Sequence, residues 1–279
     1  MEVLYGVHAV EEALRAGRRR FDHVLLARER LEAHQAAHQA ARLQRLAAEC
    51  RAAGVRVLEE SREQLTQLAG TAAHQGVVAL VHPQEFLAIE DLFSATSATQ
   101  GHARLLLALD GVEDPQNLGA LLRVADGAGV DGVILTERRS APLSPVAVKA
   151  SAGAAEHLRI ARVVNLVRAL EDLKERNIWA IGLDANPADR RIQDYDRFDF
   201  TGNCVLVLGR EGAGLHDLVR RTCDHLLRIP MAGGVSSLNV SAAGAVVLYE
   251  AFRQRRAAAA GISAPAASKP IKKQKGFGS

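Results

Sequence analysis

Residues 104–136 read RLLLALDGVEDPQNLGALLRVADGAGVDGVILT. The stretch begins as a nearly unbroken apolar run, RLLLALD (104–110), of the kind shown by strands buried on both faces. A tight polar loop then delivers Asn117 to the start of a helix, which the apolar spacing predicts over 117–128. Gly127 and Gly129 close that helix and turn the chain, and DGVILT (131–136) is strand-like again. Short apolar strands separated by a helix are the unit of a parallel α/β sheet covered on both faces. The same order disposes of a dinucleotide reading of GAGVDG (127–132). A GxGxxG fingerprint needs a strand before it and a helix after it, and here the two are reversed.

Downstream, the alternation continues. HLRIARV (157–163), NIWAIGLD (177–184), CVLVLG (204–209) and HLLRIPM (225–231) read as short strands. Helical patterns fall at 144–155, 165–176, 214–222 and 238–256. Upstream, residues 1–82 read as a separate small α/β unit. It has strands at 21–27, 55–59 and within 74–81, and helices at GVHAVEEAL (6–14), 31–53 and 61–69. Between the units, 83–102 changes character. It opens on proline, closes on small polar residues, carries a net charge of −3, and reads as a linker with one short helical turn. Residues 257–279 are rich in Ala, Ser, Pro and Lys and read as a basic disordered tail.

The 279 residues carry a formal charge of +3, with 48% hydrophobic and 24% charged residues. That balance excludes a wholly disordered chain, a collagen and a disulfide scaffold. No apolar run approaches the roughly 18 residues of a membrane span, and the acidic start is unlike a signal peptide. Cys50, Cys204 and Cys223 are far apart and unpaired in pattern, as expected of idle or buried thiols in a cytoplasmic protein. Seven Arg and Lys and no acid follow residue 250, leaving 28 bases against 32 acids in residues 1–250. A nucleic-acid site must therefore be a local patch plus the basic end. Residues 1–82 contain eleven Arg, no Lys and ten acids; Arg18-Arg19-Arg20 there reads equally as a phosphate contact or as a solvated loop.

Three segments carry more polar and glycine residues than packing needs. In DGVEDPQNLGALLRVADGAG (110–129), Asn117 suits a helix cap, and Arg123 stands three residues before Asp126 at ion-pair spacing. In CVLVLGREGAGL (204–215), a strand ends at Gly209 and is followed by Arg210, Glu211, Gly212 and Gly214, which lets backbone approach a ligand closely. In IPMAGGVSSLNVSAAGAVVLYEAF (229–252), Ser236, Ser237, Asn239 and Ser241 crowd one helix start that needs a single cap. No His/Cys cluster with metal-ligand spacing is present in the sequence.

NLGALLRVADGAG, LVLGREGAGL and IPMAGGVSSLNVSAAG, in that order and spacing, resemble the SpoU family of RNA 2′-O-ribose methyltransferases over roughly residues 103–256. YGVHAVEEAL (5–14) and HQGVVALV (74–81) resemble the N-terminal domain of the subgroup that modifies guanosine in 23S rRNA. The resemblance implies a SPOUT-type α/β domain with a C-terminal deep trefoil knot, preceded by an L30e-like RNA-binding domain. It implies S-adenosylmethionine as cofactor, a homodimer, 23S rRNA or an assembly intermediate as partner, and neither metal nor membrane. Gly209, Gly212, Ile229, Met231 and Leu238 would hold the cofactor. Arg123 would stabilise a phosphate or alkoxide, Glu211 would accept a proton or hold Arg123, and Asn117, Ser237 and Asn239 would fix the ribose. Transfer RNA or another ribosomal site is the alternative substrate, and a non-catalytic assembly factor the alternative class. The tail would add non-specific RNA affinity.

Overall fold

The structure, a computed structural model, describes residues 1–31, 37–93, 102–184 and 192–261. The N-terminal part is built on a four-stranded sheet. Its strands β1 (Glu2–Tyr5), β2 (Phe21–Ala27), β3 (Arg56–Glu60) and β4 (Val77–Val81) lie in the order β1-β4-β2-β3. β4 runs antiparallel to β1 and β2, and β2 pairs in parallel with β3. Helix α1 (Val7–Ala16) forms because Val7, Val10 and Ala13 recur on one face, and all three are buried. The single helix expected over 31–53 is instead α2 (Arg28–Leu31) and α3 (Ala37–Ala52). α4 (Arg62–Ala69) starts at a capping box made by Ser61 and Gln64.

The larger sheet has seven strands, paired in parallel throughout. In chain order they are β5 (Leu105–Leu109), β6 (Gly132–Thr136), β7 (Ile160–Val163), β8 (Trp179–Leu183), β9 (Ile192–Asp194), β10 (Cys204–Leu208) and β11 (His225–Arg228). In space they lie as β7-β6-β5-β10-β8-β11-β9. Every residue of β5 and of β10 is buried, which is why both read as continuous apolar runs. Their side chains alternate between faces. Leu105, Leu107, Leu109, Leu206 and Leu208 pack with α5 (Pro115–Gly127), α6 (Pro145–Ala150) and α10 (Val240–Ala259). Leu106, Ala108, Val205 and Val207 pack with α8 (Leu166–Glu175) and α9 (Asp217–Thr222). The helix expected over 144–155 is broken into α6 and α7 (Ala154–His157). β9, three residues long, carries no periodicity of its own and was not expected.

Three expectations need correction. The stretch expected as a linker is partly built into the large sheet: Leu87 bridges Ala161 of β7, and Leu92 is fully buried. The expected helical turn is present at Glu90–Phe93, while residues 94–101 lie outside the described residues. α10 runs past the expected start of the tail to Ala259, and residues 262–279 lie outside the described residues. Arg19 does not face solvent. It is 7% exposed, its Nε donates to Glu156 Oε2 (3.0 Å) and its Nη1 donates to Glu2 Oε2 (2.6 Å). Of the three consecutive arginines, Arg18 and Arg20 remain exposed. The two sheets also share one apolar cluster, in which Val10 and Val77 are joined with Val148 and Ala155. The three cysteines are buried, as expected, and burial pushes the Cys50 thiol up to about 11.

Candidate active site

The cleft lies at the carboxyl ends of β8, β10 and β11, where open parallel sheets bind ligands. β10 runs into Gly209, and the chain folds back at once. Arg210 N donates to Gly214 O and Gly214 N donates to Arg210 O, both at 3.0 Å. A Cβ on Gly209 would stand 2.3 Å from the Gly214 carbonyl carbon, so no other residue fits. This loop, the end of β8, and the segment from Ile229 to Val240 enclose a cavity of about 420 Å³. Its apolar wall includes Leu208, Ile229, Met231 and Leu238, and its carboxylates are Asp184, Glu211 and Asp217.

All five residues expected to hold a cofactor, Gly209, Gly212, Ile229, Met231 and Leu238, line this cavity, as do Glu211 and Ser237. Asn117 and Asn239 stand beside it in one hydrogen-bonded chain. Asn239 Nδ2 donates to Asn117 Oδ1 (3.1 Å), and Asn117 Nδ2 donates to Asp114 Oδ2 (2.9 Å) and to the Glu211 carboxylate. Asn239 also caps α10, its Oδ1 accepting from Ser241 N at 2.9 Å. Asn117 does not cap α5. Asp114 does, with Pro115 in the first turn, which leaves the Asn117 amide free to bridge segments. Arg123 is exposed, lies outside the cavity wall, and bonds to no described residue, Asp126 included.

Sequence reading missed the groups that brace the loop from below. Asp110, 4% exposed at the end of β5, accepts from His216 N (2.7 Å) and from His216 Nδ1 (2.9 Å). Asp184, at the end of β8, is paired with Arg220 of α9. Both aspartates terminate apolar runs at the ligand-binding edge of a parallel sheet, and that position was the available signal.

A cleft at parallel strand ends, built from a glycine loop and a serine-asparagine helix start, defines a small-molecule-binding α/β protein. The chain belongs to the SpoU rRNA Methylase family, whose model matches residues 104–249. Residues 3–87 match the RNA 2′-O ribose methyltransferase substrate binding family. The chain is 42% identical over 255 residues to the 23S rRNA (guanosine-2′-O-)-methyltransferase RlmB of Ralstonia nicotianae, covering 91% of this chain and 96% of that one. It is also 42% identical to RlmB of Vibrio cholerae, over 92% of this chain and 98% of that one. The SpoU methyltransferase AviRb from Streptomyces viridochromogenes, crystallised with AdoMet, superposes with a TM-score of 0.70 at 27% identity, covering 91% of this chain and 90% of that one.

Proposed function

We propose that this chain transfers a methyl group from S-adenosylmethionine to the ribose 2′-OH of a guanosine in 23S rRNA, in the cytoplasm, during ribosome biogenesis. One observation carries the reading: the cavity is edged by the chain Asn239–Asn117–Glu211, polar groups that packing alone does not require. The 42% identity to guanosine-2′-O-methyltransferases over most of the chain supports the substrate.

The cavity suits the cofactor. Its volume falls in the range of about 300–1,000 Å³ usual for small-molecule clefts. Leu208, Ile229, Met231 and Leu238 offer apolar packing, and the glycine loop offers unobstructed main chain. Gly209, Gly212, Ile229, Met231 and Leu238 would hold it. When bound, S-adenosylmethionine supplies an electrophilic methyl group. The chain must position the ribose and handle a proton from a weakly acidic hydroxyl. Asn117, Ser237 and Asn239 fix the ribose, Glu211 accepts the proton, and Arg123 stabilises the negative charge.

The reading includes a homodimer and a division of labour. Arg123 lies outside the cavity wall, and Val235 and Leu238 on the adjoining loop are 65% and 38% exposed. A second copy laid over this loop would cover them and bring an Arg123 to the cavity. Residues 1–82 act as an L30e-like RNA-binding domain, and the methyltransferase domain starts near residue 103, takes in the Leu87 bridge to β7 and ends with α10 at Ala259, with the basic tail after it. The likeness to the solved SpoU methyltransferase supports a deep trefoil knot in the methyltransferase domain.

The test is site-resolved mapping of ribose methylation. Purified chain and labelled S-adenosylmethionine are incubated with total RNA, ribosomal and transfer, from cells lacking the gene. One guanosine in 23S rRNA should gain a 2′-O-methyl group. Methylation of transfer RNA instead, or of nothing despite cofactor binding, overturns the reading.

A further inference from the structure

The loop ERRSAPLS (137–144) leaves the carboxyl end of β6, on the same sheet edge as the cavity. Its backbone is tied at three points. Glu137 N donates to Val163 O (2.9 Å), Thr136 Oγ1 donates to Arg138 O (3.0 Å), and Ala141 N donates to Val112 O (2.8 Å). Val112 is two residues from Asp114, which holds Asn117. Arg139 adopts a φ of 55°, a left-handed conformation uncommon outside glycine, asparagine and aspartate. Both arginines are exposed, and neither side chain bonds to a described residue. A braced loop presenting two unpaired guanidinium groups is not explained by packing.

Beyond the loop, α6 begins at the cap Ser144 and runs against the N-terminal sheet. Lys149 Nζ donates to Ala73 O (2.7 Å) and lies 5.2 Å from the centre of the Tyr5 ring. Arg62 is exposed on α4, and Arg30 is half-buried with its guanidinium donating to Gln39 Oε1. Burial, and after it the charges of Arg62, Arg30 and Lys149, hold His74 below the ordinary histidine range. Glu29 lies beside Arg62, its carboxylate accepting from Arg62 N at 3.1 Å. Along the chain, residues 140–148, which include most of α6, join the loop arginines to Lys149.

We propose that Arg138 and Arg139, with Arg30, Arg62 and Lys149, form a phosphate-contacting path that leads the RNA backbone from the N-terminal sheet to the cavity. The path rests on the RNA methyl-transfer reading above. It assigns the 137–144 loop a role as an RNA contact, reading backbone and not base.

The test uses the full chain, a radiolabelled 23S rRNA transcript and filter binding across a KCl series. The variant is Arg138→Gln with Arg139→Asn, because asparagine tolerates the left-handed backbone. Its Kd should rise about tenfold, and the slope of log affinity against log salt should fall by about 1 to 2. Calorimetric affinity for S-adenosylmethionine should stay within about twofold, showing an intact fold. Arg168→Gln, an equally exposed change on α8, should leave both RNA parameters unchanged. An unaltered Kd and salt slope in the double variant, with an active wild-type chain, overturns the path alone. An equal loss in Arg168→Gln also overturns it, because the effect is then general charge. A wild-type chain that moves no methyl group onto rRNA overturns the methyl-transfer reading, and the path with it.

Discussion

Asn117 joins three segments through one amide: it donates to Asp114 and Glu211 and accepts from Asn239. Arg123, six residues on, bonds to none of the described residues. An exposed arginine without partners adds little to folding, so its removal isolates function. Arg123→Ala should nearly abolish methyl transfer while S-adenosylmethionine affinity, read by calorimetry, stays within a few-fold. Retained turnover would show that the charge is stabilised elsewhere. Gly209 gives the opposite pattern. A methyl group there meets backbone, which cannot rotate away as a side chain can. Gly209→Ala should cost about 1–3 kcal/mol of stability and remove cofactor binding along with activity, because the Arg210–Gly214 turn must open to admit it.

At the scale of elements, α10 does two jobs through its first turn. Asn239 Oδ1 caps the helix, while Asn239 Nδ2 holds Asn117. Asn239→Ala should lose both, with a drop of about 1 kcal/mol in unfolding free energy by denaturant titration. Asn239→Asp keeps an acceptor for the cap and loses the donor to Asn117. It should melt near wild type yet turn over more slowly. If both variants were equally active, the Asn239–Asn117 bond would have no part in catalysis. Elements were legible wherever a physical period marked them. The buried runs of β5 and β10 and the apolar face of α1 were of this kind. β9 was invisible because three half-buried edge residues, IQD, carry no pattern. The cavity wall was legible from glycine and serine clusters, since few folds need them. Asp110–His216 was not, because a pair separated by 106 residues depends on register that no local stretch reveals. Arg19 misled for the same reason. Its partner Glu156 lies 137 residues away, so in the sequence it looked like one of three solvated arginines.

At the scale of the molecule, Arg19 and Glu156 clamp the N-terminal sheet to the methylase region, and both side chains are 1% exposed. Gln84 extends the clamp, accepting from Arg19 Nη2 (3.1 Å) and donating to Ala155 O (3.2 Å). His157 pairs with Glu12 beside it at 2.7 Å. One apolar cluster is also shared across this boundary, so the N-terminal sheet packs against the region that carries the cavity. Burial raises the Glu156 carboxyl above its ordinary range, and the Arg19 charge opposes that rise. The sign follows from proton uptake. A carboxyl whose folded pKa is raised contributes stability that is fully present below its unfolded pKa and is lost as pH rises through the folded value. Arg19→Met removes the opposing charge, so the Glu156 pKa climbs further and the loss steepens. Near neutral pH the variant must either bury an unpaired carboxylate or hold a proton there, a cost of about 3–5 kcal/mol. Below the unfolded carboxyl range Glu156 is protonated in both states, and the penalty shrinks to lost packing and hydrogen bonds. Thermal melts of wild type and Arg19→Met should therefore diverge widely at neutral pH and converge on acidification. Adding Glu156→Gln to Arg19→Met should recover much of the neutral-pH deficit. A deficit independent of pH, and not relieved by the second change, would mean that Arg19 acts through packing and the clamp is not electrostatic.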